Sequence, residues 1–381
     1  MNILFISSWY PTEINKNFGV FVKEHAHSIS TTNNKVIVLA LVIHRSTDLW
    51  KVKISDKVDE KDVKTVLIEI STVFRDLAYH FIPIQYLYIY GTYKKKINID
   101  FEPDVVHSNV IFPAGIIGDW ISKKLNKPHI ITEHWTRVRQ FADMPVLAKW
   151  GKKAYENAKM ILPVSAFLKS EIINSFSISN VEKFRIIGNI IDSKTFYYKE
   201  KKNNKNELKL CSIATWSHLK HPAKQPELLI NAIAQIQPKF DKKIKITMIG
   251  KGNKVPELIS LCESLNVEAE FTGYLPKEEI VKKLHESDYF VHPTNIETFG
   301  VVVAEALLTG TPVICSDVSA LRELINNSNG ILCKNTVPDW ENALLEADNK
   351  KFDRERFAYE MNNKFNLENI GNLINSVYQS I

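Results

Sequence analysis

The segment Asn295–Asp317 reads NIETFGVVVAEALLTGTPVICSD. Ahead of it, DYFVHPT has the β-branched and aromatic character of a strand running into a loop. FGVVVAEALLTG then reads as a helix that Gly310 closes, and TPVICSD as the next strand. Glu297 falls in the strand-to-helix loop, and Glu305 lies between one and two turns into the helix. A lone glutamate on a helix is ordinarily a solvated side chain. Here Glu305 is flanked by Ala304, Ala306, Leu307 and Leu308, and burying a carboxylate without a partner is costly. Free N–H groups at a helix start favour an anion, and Gly300 admits a ligand close to the backbone. Two carboxylates beside such a helix start suit a ligand that carries both hydroxyls and phosphates, as a nucleotide sugar does.

The same strand–helix alternation extends in both directions. Towards the N-terminus it runs through NILFISSW, FVKEHAHSIS, KVIVLALVIH, PDVVHSN, AGIIGDWISKKL, PHIITEH and KMILPVS. The charged, Asn-rich run KEKKNNKNELK, Lys199–Lys209, breaks it and reads as a linker. A second series follows in LKLCSIAT, PELLINAIAQI, IKITMIG, VPELISLCESL and KEEIVKKLHES. This rhythm predicts an α/β protein of two Rossmann-like, doubly wound parallel-sheet domains. Residues 1–199 form the first and residues 200–352 the second, and residues 353–381 have helical periodicity. Ligands of such sheets bind beyond the carboxyl ends of the strands, which places function in a cleft between the domains.

Bulk properties narrow the class. The chain has 381 residues, 45% hydrophobic and 24% charged, as in a globular protein of two domains. No stretch has the length of a membrane span and the N-terminal run lacks a basic region, so a cytoplasmic protein is expected. Cys211, Cys262, Cys315 and Cys333 are scattered and read as small core residues rather than disulfides or zinc ligands. A net charge of +6 fits anionic ligands or a membrane surface, whereas no motif points to nucleic acid. No G-x-G-x-x-G follows a strand, and GKGNK lacks the Walker pattern, which disfavours NAD enzymes and P-loop ATPases.

The pattern E-T-F-G-x-x-x-A-E-A-x-x-x-G-x-P-V-I resembles the glutamate motif of retaining glycosyltransferases with the GT-B fold, family 4. ILFISSWYP with NFGVFVKEHAHSI, DVVHSN, AKMILPVSAFLKSEI, IIGNIIDSKTF, MIGKGN and AEFTGYLP follow in that family's order. The resemblance implies that the C-terminal helix over 353–381 crosses back onto the first domain, and it implies roles residue by residue. Glu305 would hold the nucleotide ribose, Glu297 would face the donor sugar, and the backbone of Phe299, Gly300 and Val301 would face sugar and diphosphate. Lys224 matches the family's phosphate-binding lysine. The arginine that usually accompanies it is missing from ATWSHLKHPAKQPELL; Lys220 is the candidate replacement, but a lysine lacks arginine's planar fork. His218 in the same loop is either near the phosphates or merely exposed. Gly19 matches a glycine that lets the donor phosphates approach, or is a plain turn glycine. His134 matches a histidine near the reacting sugar, with a satisfied core histidine as its rival, and Glu133 and Trp135 flank it. Asn189 and Asp192 match the crossover segment, where structural and contact roles are both open. Neither a metal nor another cofactor is implied, the nucleotide sugar (UDP- or GDP-linked) being a substrate.

On the acceptor side, residues 74–96 carry Phe74, Tyr79, Phe81, Tyr86, Tyr88, Tyr90 and Tyr93 and end in Lys94, Lys95 and Lys96. This is either a tyrosine-rich helix packed on its own domain or an interfacial segment that docks at the inner face of a membrane. The implied activity is retaining hexosyl transfer from a nucleoside-diphosphate sugar to a saccharide or polyprenyl-linked acceptor, in cell-surface polysaccharide or lipopolysaccharide biosynthesis. The alternatives are a nucleotide-sugar epimerase of the same fold and an inactive nucleotide-sugar-binding relative.

Overall fold

Apolar β-branched runs form strands, and the amphipathic runs between them form helices, in two separate sheets. The computed structural model describes residues 1–201, 206–218 and 223–381. One unit comprises Met1–Ile190 with Leu367–Ile381, the other Ile191–Asn366.

The first unit holds strands β1 (Asn2–Ser7), β2 (Lys35–Arg45), β3 (Lys51–Val58), β4 (Lys64–Thr72), β5 (Val105–Asn109), β6 (His129–Glu133) and β7 (Met160–Pro163). Their spatial order is β3-β4-β2-β1-β5-β6-β7. All neighbours are parallel except β3 and β4. β5 and β6 are buried along their whole length, as strands covered on both faces are. The strand order reverses at β1, so the ends of β1 and β5 flank a crevice. β3 is not announced by the helix–strand rhythm. Its alternation KVKISDKV is that of an edge strand, charged and largely exposed, which blunts pairing with another chain.

The second unit holds β8 (Glu207–Ile213), β9 (Lys243–Ile249), β10 (Glu268–Gly273), β11 (Tyr289–His292), β12 (Val313–Ser316) and β13 (Gly330–Cys333). The order is β10-β9-β8-β11-β12-β13, parallel throughout. Here the reversal lies between β8 and β11. Leu210, Ile233, Ile246, Val291, Ile314 and Trp340 belong to one core. All four cysteines are free and buried.

Two boundaries differ from the sequence expectation. The units part at Ile190/Ile191 rather than at 199/200, and Glu207–Lys209 of the expected linker already belong to β8, whose Leu208 and Leu210 point inward. The tail is two helices, not one. Arg354–Phe365 stays with the second unit, where Phe365 meets Phe299 edge-on at 5.1 Å. Asn366 is extended and stops that helix, and Leu367–Gln379 belongs to the first unit. There the buried Tyr378 hydroxyl lies 2.5 Å from His107 Nδ1.

Candidate active site

The site of the second unit forms where the loops after β8 and β11 meet, at the reversal of strand order. An isolated antiparallel bridge joins Lys224 to Thr294. The Gln225 N–H donates to the Pro293 carbonyl (3.0 Å) and the Asn295 N–H to that of Ala223 (2.7 Å). These bonds bring the Lys224 ammonium onto Glu297, with which it forms an ion pair. His292, the last residue of β11, completes the group: its Nε2 lies 2.9 Å from Glu297 Oε1 and 3.0 Å from Lys224 Nζ. One Nε2 can donate to the carboxylate or accept from the ammonium, not both. Burial and the Lys224 charge push the His292 pKa down, which favours the neutral ring. Burial pushes Glu297 up, but the His292 hydrogen bond and the Lys224 charge outweigh it and leave its pKa at about 2. Glu297 is therefore ionised at neutral pH. Its backbone N–H donates to Ser319 Oγ at 2.9 Å, which orients the loop. A cavity of about 240 Å³ opens beside Lys224, lined also by Thr215, Trp216, Ser217 and Lys254.

Gly300 starts the helix Val301–Leu308 in a left-handed conformation, with φ of 91°. A Cβ there would meet the end of the Leu321 side chain, Cδ2, at 2.8 Å, but it is the left-handed backbone that calls for glycine. Its carbonyl takes the Val303 and Ala304 N–H groups at 3.0 Å, which leaves those of Val301 and Val302 without a helical partner. The Phe299 ring is buried against Phe365, so only its backbone is free for a ligand. Glu305 differs from Glu297 in its partners and in the direction of its pKa shift. Among the described residues no hydrogen bond reaches its carboxylate, and desolvation raises its pKa to about 7; Lys277 opposes this and Asp192 adds to it. Near pH 7 Glu297 is thus ionised, whereas Glu305 is in the middle of its titration.

Lys220 lies outside the described residues. His218 is exposed and lies 3.1 Å from Glu257. Asp192 accepts from Thr195 Oγ1 (2.8 Å) and Lys277 (3.2 Å). His292 and Ser319 were not among the expected site residues. The signal for His292 was available, since it ends a strand just before the motif; Ser319, 22 residues from Glu297, gave none.

In the first unit, His134 follows β6 directly and is buried. Its Nδ1 lies 2.9 Å from Asn189 Oδ1 and its Nε2 2.9 Å from Asn109 Oδ1. Desolvation drives its pKa well below the usual value, so the ring is neutral. A neutral ring donates to only one of these oxygens; the other nitrogen accepts only from an amide turned to present its Nδ2, and the buried Asn109 Nδ2 has no partner in the orientation seen. Glu133 clamps the loop: its carboxylate accepts the N–H groups of Ile111, His134 and Trp135 and the Tyr155 hydroxyl, each within 2.9 Å. Gly19, with φ of 70°, starts the helix Val20–Ser30. A Cβ there would lie 2.4 Å from the Trp9 carbonyl, so the close approach seen is to the chain's own backbone.

Comparison with known proteins places this architecture. HepE of Anabaena, solved in complex with UDP, superposes over 100% of both chains with a TM-score of 0.74 at 16% identity. The fold is therefore GT-B. Residues 193–363 match the model for glycosyl transferases group 1, and residues 56–195 that for Glycosyltransferase Family 4. An uncharacterized glycosyltransferase of Methanocaldococcus jannaschii is 25% identical over 73% of this chain and 76% of its own. The putative teichuronic acid biosynthesis glycosyltransferase TuaC of Bacillus subtilis is 26% identical over 91% of this chain and 88% of its own. The chain belongs to the GT-B glycosyltransferases of family 4 type.

Proposed function

We propose that this glycosyltransferase moves a hexose, with retention, from a UDP- or GDP-linked sugar to a saccharide or polyprenyl-linked acceptor in cell-surface polysaccharide synthesis. The observation that carries the reading is Glu305, a carboxylate to which no hydrogen bond comes among the described residues, between one and two turns inside the helix that Gly300 starts. Ribose hydroxyls are the donors it lacks. Lys224 supplies positive charge for the departing diphosphate, and its exchange of Glu297 for phosphate frees that carboxylate to accept from the donor sugar's hydroxyls. His292 holds Glu297 in place meanwhile. The bond from the anomeric carbon to the β-phosphate oxygen breaks, and a bond to the acceptor oxygen forms on the same face. The acceptor proton passes to the departing phosphate. No metal is required where a lysine and helix N–H groups neutralise the phosphates. The UDP complex of HepE and the teichuronic acid assignment of TuaC support the donor and the pathway class.

The test is thermal unfolding with UDP, GDP, ADP and CMP, each with and without magnesium. A ligand at about 100 times its dissociation constant adds about 2.7 kcal/mol. A shift with one diphosphate that is unaffected by magnesium and lost in Glu305→Ala is expected. No shift with any nucleotide would overturn the reading. NMR of the product's anomeric centre checks retention.

A further inference from the structure

The cavity beside Lys224 has a second lysine in its wall. Lys254 lines it together with Thr215, Trp216 and Ser217, and among the described residues around it these two lysines are the only charged side chains. Lys254 arrives there from a different strand: it ends the loop that follows β9 and directly precedes the helix Val255–Ser264. Backbone bonds fasten that loop to the one after β8. The Trp216 N–H donates to the Lys251 carbonyl (2.9 Å), and the Lys254 N–H to the Trp216 carbonyl (3.0 Å). The buried Trp216 indole adds a bond to the Ile249 carbonyl at 3.2 Å. A Cβ on Gly252 would overlap the Trp216 carbonyl oxygen, so the two loops approach as closely as a glycine permits. The lysines are also held alike. Lys224 rests on Glu297, and Lys254, its side chain only 14% exposed, rests on Glu227 in the first turn of the helix Pro226–Ile236.

We propose that Lys254 is a second cation for the donor's diphosphate, acting together with Lys224; this rests on the proposed transfer from a nucleoside-diphosphate sugar. A nucleoside diphosphate carries about two to three negative charges near pH 7, and the Lys224 ammonium meets one of them. Charge on the leaving group grows as the anomeric bond breaks, so a cation whose backbone is already fixed stabilises the departure without reorganisation. An ammonium is a point charge with rotatable donors. Lys254 can therefore pass from Glu227 to a phosphate oxygen as Lys224 passes from Glu297. The plainer role is an ion pair that only ties the starts of two helices together. In that case loss of either partner has the same effect, whereas in the proposed role Glu227 competes with the ligand.

Calorimetric titration of the full chain with UDP, GDP and ADP, and with UMP, GMP and AMP, tests it on Lys254→Met, Lys254→Arg and Glu227→Gln. Lys254→Met should weaken the diphosphate that the wild type binds roughly tenfold or more, as loss of a hydrogen bond to a charged group does, and the corresponding monophosphate much less. Lys254→Arg keeps the charge and should restore most of the affinity. Glu227→Gln should act in the opposite direction and tighten the diphosphate several-fold, because the lysine then has no carboxylate to leave. That sign decides even where Lys254→Met does not fold. Weaker diphosphate binding in both Lys254→Met and Glu227→Gln, or affinity unaltered in both, overturns the proposal and leaves the nucleotide-sugar reading standing. So does equal weakening of diphosphate and monophosphate by Lys254→Met. A wild type that binds none of the diphosphates overturns both.

Discussion

Glu305 illustrates at the scale of one residue how a site is kept ready at the expense of stability. Its carboxyl has a folded pKa of about 7 against an ordinary value of 4.5. Raised above the unfolded value, it opposes folding fully at pH above 7, and the opposition disappears as pH falls from 7 to 4.5. The shift corresponds to up to about 3 kcal/mol. Glu305→Gln is therefore expected to raise the unfolding free energy of the ligand-free protein at pH 8 by about 1–3 kcal/mol, with no gain at pH 4.5. The same change should abolish the nucleotide melting shift. Denaturant titrations at both pH values check this, and a Glu305→Gln protein no more stable at pH 8 would show that the carboxylate has partners. Glu297 has the opposite sign. Held down to about 2 by His292 and Lys224, it adds stability above pH 4.5 that is lost as pH falls through 2.

At the scale of the element, the loops after strands carry the site, and each needs its own anchor. Glu133 shows this best: one buried carboxylate takes three backbone N–H groups and a hydroxyl, and so fixes where β6 releases His134. Glu133→Ala leaves those donors unsatisfied and should cost about 2–4 kcal/mol. Chemical denaturation measures the loss; a cost below about 1 kcal/mol would mean that water replaces the carboxylate. How far these anchors could be read from sequence follows from their reach. The Glu297–Gly300–Glu305 spacing is local, so the strand, loop and helix around it were legible. The bridge from Lys224 to Thr294 spans 70 residues, and the amides on His134 come from 25 and 55 residues away. Strand order decides which loop ends meet, and no periodicity reports it. The two-helix tail escaped for a similar reason. Its helical period is continuous on paper, whereas in the fold Asn366 is extended, directly after Phe365 packs on Phe299.

The whole molecule consists of two sheets, each with its own buried core, and this makes its unfolding divisible. A core including Leu210, Ile246 and Trp340 stabilises the second unit, while β1, β5 and β6 with the Leu367–Gln379 helix stabilise the first. Proteins of this size with two cores often depart from a single cooperative transition. The residues proposed to bind the nucleotide (Lys224, Glu297, Gly300 and Glu305) all belong to the second unit. Linkage then requires the ligand to stabilise the transition of the unit that holds the residues it contacts. Scanning calorimetry should resolve two components, of which a saturating nucleoside diphosphate raises one by several degrees. Hydrogen exchange identifies which: protection should rise in Glu207–Ile213, Tyr289–His292 and Val301–Leu308, and much less in Asn2–Ser7 and Val105–Asn109. Protection that rises equally in both sheets would mean that the nucleotide also contacts the first unit directly. Gly19 and His134 would then be the candidates to test in that unit.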